Sequence, residues 1–137
     1  MGKSEGFDEF SIFALDRICK ITETDSVSEK TNYDFSEHFD DIIGVTWNKD
    51  QNTEIILLKV HKSAWPYIET KPIHGSQKRW RDGDDEHFTG IQLEVQINYE
   101  LLANILYRGS AIRVVEPQSL VERIREEAKK IMDYYSI

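Results

Sequence analysis

Glu54-Ile55-Ile56-Leu57-Leu58-Lys59-Val60 reads as a β-strand, and its four consecutive aliphatic residues, without alternation, predict a central strand covered on both faces. The elements downstream follow from it. Residues 63–69 have the length of one or two helical turns, with Pro66 tolerable only near the start. Two strands are expected next, over residues 75–81 and 87–97. They are joined by Asp82-Gly83-Asp84-Asp85, whose Asp-Gly pair signals a hairpin. In the second strand Ile91, Leu93, Val95 and Ile97 alternate with Gln92, Glu94 and Gln96, which predicts one wet face.

Asn98 is placed to cap a helix running to Tyr107, with Leu101, Leu102, Ile105 and Leu106 at helical spacing and Gly109 as its stop. Residues 111–115 form another strand. Pro117 then opens a last helix reaching Tyr134, with Leu120, Val121, Ile124, Ala128, Ile131 and Tyr135 on one stripe and a Glu126-to-Lys130 pair at four-residue spacing. Strand, helix, strand, strand, helix, strand is the ferredoxin-like βαββαβ order, here with an added C-terminal helix. The fold class is α+β.

Upstream, Phe13, Leu15, Arg17, Cys19 and Ile21 alternate along a strand expected over residues 10–21, where Ile12 and Ile18 break the pattern. Residues 22–32 are polar and read as a loop, and residues 33–39 as a short irregular stretch or helical turn. Apolar character resumes at Ile42-Ile43-Gly44-Val45-Thr46-Trp47. Asn48-Lys49-Asp50-Gln51-Asn52 is the best domain boundary, dividing the chain into residues 1–50 and 51–137.

With 39% hydrophobic and 31% charged residues, the 137-residue chain falls in the soluble globular class, long enough for one domain or two small ones. It has no apolar run of spanning length, and Met1-Gly2-Lys3-Ser4-Glu5-Gly6 has no signal-peptide core, so no membrane partner and a cytoplasmic location are expected. The balance of 25 acidic to 17 basic residues leaves a net charge of -8, which disfavours direct attraction to a phosphate backbone.

No pattern assembles an active site. His38, His61, His74 and His87 lack metal-pair spacing, and the acidic turn at Asp82, Asp84, Asp85 and Glu86 lacks the twelve-residue calcium pattern. The seven glycines are isolated and make no phosphate cradle, and Ser63 and Ser76 lack a nucleophile-elbow context. Cys19, the lone cysteine, is expected to be a small buried hydrophobe. The expectation is a protein without catalytic residues, metal or cofactor.

Two stretches are less bland. Asp16 and Arg17 lie within an apolar strand, where charges persist only as a pair or facing a pocket; a structural bridge and a ligand contact are both open. His74-Gly75-Ser76-Gln77, followed by Lys78, Arg79, Trp80 and Arg81, sets hydrogen-bonding side chains beside guanidinium groups and an aromatic plane. That combination suits an anionic or nucleotide-like ligand, and it suits a solvated strand edge equally.

These stretches also carry a resemblance to the bacterial WYL-domain transcription regulators. Phe13-Ala14-Leu15-Asp16-Arg17-Ile18 resembles a strand late in the WYL domain, and Tyr33-Asp34-Phe35 the segment after it. From Thr53 onward the chain resembles the WCX C-terminal extension. The matching features are the strand at residues 55–60, Pro72-Ile73-His74-Gly75-Ser76-Gln77, the Asp82-Gly83 hairpin, and Tyr107-Arg108-Gly109 leading through Ile112-Arg113-Val114-Val115 to Glu116-Pro117.

The resemblance implies a partial SH3-like β-barrel remnant before the ferredoxin-like domain, and a regulatory role in which duplex DNA is read only by a helix-turn-helix domain outside this chain. It implies an effector, a nucleotide or short single-stranded nucleic acid, held by Arg17, His74, Gln77, Arg79 and Trp80. A barrel remnant exposes Phe10, Ile12 and Phe13, which predicts a homodimer. A purely structural dimerisation module without ligand is the alternative.

Overall fold

The computed structural model describes residues 1–6, 10–27 and 30–136; Ser28 and Glu29 of the expected polar loop, and the side chain of His38, lie outside the described residues. Met1–Tyr33 and Asp34–Ile137 form two compact units. In the first, β1 (Gly2–Lys3) pairs antiparallel with β2 (Phe10–Ser11). The strand expected over residues 10–21 is confined to those first two residues. Leu15–Arg17 instead closes a 3-10 turn, with the Arg17 N–H donating to Ala14 O (3.1 Å) and the Ile18 N–H to Leu15 O (3.3 Å).

The physical reason is backbone satisfaction. An extended segment needs a neighbour for its N–H and C=O groups, and among the described residues β1 supplies two, so the ladder ends at Ser11. The apolar residues that alternation assigned to a covered strand are therefore uncovered in this unit, with Phe13 50% and Leu15 and Ile21 83% exposed. Cys19 is exposed too, contrary to the buried role expected of it. Around Phe10 there is some order, its ring lying 5.0 Å from that of Tyr33 and 5.1 Å from the Lys3 ammonium.

The second unit starts with α1 (Phe35–Asp40), so that of the two expected alternatives, irregular stretch or helical turn, the helical one forms. A four-stranded antiparallel sheet follows in the order β4-β5-β3-β6, from β3 (Glu54–His61), β4 (Lys78–Arg79), β5 (Phe88–Val95) and β6 (Ile112–Glu116). Between and after them run α2 (Trp65–Thr70), α3 (Tyr99–Arg108) and α4 (Gln118–Tyr135). Among the described residues no helix is long and apolar enough to cross a membrane.

β3 is central, but only one of its faces is buried. Ile56, Leu58 and Val60 are sealed while Ile55, between them and the N-terminal end, is 55% exposed. Four aliphatics in a row do not require two covers when only one layer of helices exists. Ile68 of α2, Leu101 and Ile105 of α3 and Leu120 of α4 all join the cluster on the Ile56 side, together with Ile91, Leu93 and Val95 from β5. Each such fully buried aliphatic contributes about 1.5–3 kcal/mol of transfer free energy, so this layer dominates the unit's stability.

β4 spans only Lys78–Arg79 of the strand expected over residues 75–81, because Arg81–Gly83 winds into a 3-10 turn. The helical pair expected between Glu126 and Lys130 is taken by Glu127, whose carboxylate lies 2.6 Å from the Lys130 ammonium.

Gln96 corrects the wet-face expectation, being 3% exposed and fully engaged. Its Oε1 accepts from the Asn48 N–H (3.0 Å), and its Nε2 donates to Asn48 O (2.9 Å) and Gln51 O (2.6 Å). Two residues on, Asn98 caps α3 by accepting from the Leu101 N–H (2.8 Å) while its Nδ2 donates to Ile43 O (2.8 Å) and Thr46 O (2.9 Å). These two amides bind residues 43–51 to the β5–α3 junction and satisfy backbone groups that burial would otherwise strand. Gly109, at φ 54°, ends α3 in a conformation that side chains resist.

Asn98→Ala removes the cap and both donors, and we expect it to destabilise by about 2–4 kcal/mol in urea unfolding. Asn98→Ser keeps an uncharged acceptor for the Leu101 N–H and loses the two donors, so it should fall between the native protein and Asn98→Ala; equal losses for both variants would show that the cap contributes nothing.

Candidate functional site

The hairpin predicted at residues 82–85 is a tight turn wrapped on Gly90. The Gly90 carbonyl accepts from both the Trp80 N–H (3.0 Å) and Arg79 Nη1 (3.0 Å). Its N–H donates to Asp84 Oδ1 (2.7 Å), and Asp84 Oδ2 in turn takes Arg79 Nη2 (2.7 Å). The approach is so close that a Cβ on Gly90 would collide with the Trp80 carbonyl, and one on Gly83 with the Trp80 indole. Only glycine fits at either place. The free face of the Arg79 guanidinium lies 4.9 Å from the Trp65 ring centre, a cation–π contact.

Four of the five residues singled out by the sequence fall in this unit, and two of them serve its structure. Gln77 accepts from the Ile73 N–H (3.0 Å) and donates to Ile68 O (3.2 Å), which fastens the loop to the end of α2. Arg79 is tied to Gly90 and Asp84 as above. His74 is partly buried, with Nδ1 2.9 Å from Ser76 Oγ and accepting from the Ser76 N–H (3.1 Å), while Ser76 Oγ accepts from the Glu94 N–H (2.9 Å). The partly buried Trp80 ring lies against Gly83.

Arg17 belongs to the first unit, where it is exposed and forms no ion pair among the described residues; the Asp16–Arg17 bridge is not formed. Three partners escaped the sequence reading. Trp65 and Gly90 give no local signal, whereas Asp84 stands in the Asp-Gly-Asp-Asp turn, whose pattern signals a hairpin and nothing of its bonds to Arg79 and Gly90. Among the described residues no three His, Cys, Asp or Glu side chains converge on a metal position.

Charge holds the turn from the other side as well. Lys59 Nζ reaches Asp85 Oδ2 at 2.7 Å, and Asp85 Oδ1 accepts the N–H groups of His87 (2.9 Å) and Phe88 (2.8 Å). The Lys59 hydrogen bond, then the His87 and Phe88 N–H groups, hold the Asp85 carboxyl down at about 2 from 3.8. The Gly90 N–H does the same for Asp84, with Arg79 assisting against desolvation. Burial pushes the Glu100 carboxyl up, but hydrogen bonds from the Thr46 hydroxyl and from the N–H groups of Glu100, Val45 and Thr46 outweigh it and leave it lowered.

A carboxyl depressed on folding stabilises the fold above its unfolded value and loses that contribution as pH falls through its folded value. Melting temperature should therefore drop between pH 3.8 and about 2, and Asp85→Asn should start lower at neutral pH and flatten that drop. An unchanged acid limb in Asp85→Asn would remove the turn from the account.

Comparison with known protein families matches residues 53–132 to the WCX domain, a span running from the edge of β3 to near the end of α4. A search of curated proteins finds no match to the chain. The matched span covers more than half of the 137 residues and holds the whole four-stranded sheet with α2, α3 and nearly all of α4, so the chain belongs to the WCX domain family.

Proposed function

We propose that the chain is the effector-sensing and dimerising region of a bacterial, cytoplasmic WYL-type transcription regulator, acting by binding and not by catalysis. WCX domains are associated with WYL-type transcription regulators, and that membership is the observation that carries a regulatory role. The resemblance of residues 13–18 to the end of a WYL domain supports the same context, with residues 1–50 as a remnant of an SH3-like barrel. A ferredoxin-like fold for the second unit is supported by its strand order, in which the first and third strands of the βαββαβ run, β3 and β5, lie at the centre.

Dimerisation rests on the uncovered apolar side chains of the first unit. Phe13, Leu15, Ile18 and Ile21 are exposed within a short segment, a density that monomeric surfaces avoid. The effector we assign is a nucleotide or short single-stranded nucleic acid, held by Arg17, His74, Gln77, Arg79 and Trp80, with binding read out as a shift in dimer geometry. Duplex DNA contact is assigned to a helix-turn-helix domain outside this chain.

One observation favours the second reading, a structural dimerisation module with no ligand. Gln77 and Arg79 already use polar atoms on Ile68, Ile73, Asp84 and Gly90, so fewer donors are left to recognise an effector. The two readings part on one pair of measurements. Light scattering after size exclusion should give twice the 16.0 kDa chain mass, and a clean monomer at micromolar concentration would overturn dimerisation in both. Calorimetric titration with mononucleotides and short single-stranded oligonucleotides should show binding that Arg17→Ala, whose side chain supports no ion pair among the described residues, abolishes. A dimer that binds neither probe establishes the structural module instead.

A further inference from the structure

We propose that the groove between β6 and α4 receives an extended acidic segment of a partner protein, added as a strand to the free edge of β6. β6 pairs with β3 on one side only, so its outer edge is unpaired within the sheet. Beside that edge runs a groove of about 640 Å³, within the range of ligand-binding clefts. Its walls are Arg113 and Val115 from β6 and Val121, Ile124, Arg125 and Ala128 from α4. An edge strand with a helix alongside is the setting in which an extended peptide gains affinity from main-chain hydrogen bonds and specificity from alternate side chains.

Charge chooses the occupant. The chain carries -8 overall, yet no carboxylate lines this groove, and neither Arg113 nor Arg125 forms an ion pair among the described residues. A second copy meeting the groove with the same face would set like charges against one another. A nucleic acid offers negative charge but no peptide edge to match the strand, and little apolar surface for Val121, Ile124 and Ala128. A segment alternating aliphatic and acidic residues satisfies all three demands: backbone pairing, apolar contact, and carboxylates for the two guanidiniums.

The probe is a fluorescein-labelled peptide of about ten residues alternating glutamate and valine, long enough to exceed the mean strand length. Added to the full chain, it should bind saturably, and hydrogen exchange at residues 112–116 should slow. Arg113→Glu with Arg125→Glu, both on exposed side chains, should weaken binding by at least about tenfold. The same peptide with N-methylated backbone at alternate positions should fail on the unaltered protein, a readout that needs no variant to fold. The proposal is overturned by no binding, by equal binding of a lysine–valine peptide, by an oligonucleotide displacing the probe, or by β6 protection that grows with protein concentration alone and marks a second copy.

Discussion

The eight-residue antiparallel ladder between β3 and β5 is the interaction on which the rest of the second unit depends. Its register sets Ile56 opposite Leu93, Leu58 opposite Ile91 and Val60 opposite Thr89, so both strands present their aliphatic side chains to the same layer of helices. A slip of β5 by one residue would turn Gln92 and Glu94 inward and carry Ile91, Leu93 and Val95 to the opposite face. The helices then have no freedom of side. Ile68, Leu101, Ile105 and Leu120 can reach apolar surface only on the Ile56 face, and the opposite face is left to Ile55, Leu57, Gln92 and Glu94.

Polar groups at the two ends of β5 prevent that slip. At its beginning Gly90 sits inside a ring made by Arg79, Trp80 and Asp84, and at its end Gln96 and Asn98 bind residues 43–51. Exposed ion pairs such as Arg79–Asp84 are worth little as isolated attractions. Here the pair is joined to a backbone donor and a backbone acceptor of one glycine. Its value lies in geometry, since it fixes where β4 meets β5 and where the turn lies.

Much of the second unit was legible because its signals are local. Asn98 followed by Leu101, Leu102 and Ile105, Gly109 after the helix, and the start of the stripe at Leu120, Val121 and Ile124 each state a boundary or a face with a physical cause, whereas Ala128, Ile131 and Tyr135 of the same stripe are exposed. The failures share a different cause. Gln96 is buried and Ile55 exposed because of what does or does not pack on them from elsewhere in the chain, which periodicity cannot see. Alternation over residues 10–21 describes a strand that only neighbouring strands could hold, and the described residues supply one, two residues long. At the candidate site, residue type announced hydrogen-bonding capacity at Gln77 and Arg79 without revealing that Ile68, Ile73, Asp84 and Gly90 consume part of it.

The sheet's two edges are treated unlike each other. β4 is short, carries Lys78 and Arg79, and runs at once into the turn at Arg81–Gly83, the ordinary means by which an edge is made unfit for pairing. β6 is longer, holds two valines in sequence, and is flanked by a groove that α4 lines without closing. A bulge between Leu57 and Leu58 bends the β3–β6 pairing near Glu116, yet Ile112, Arg113 and Val114 remain in regular register. Of the two edges, β6 is the one whose backbone is left open beside a groove, and Arg113 and Arg125 at that groove form no ion pair among the described residues.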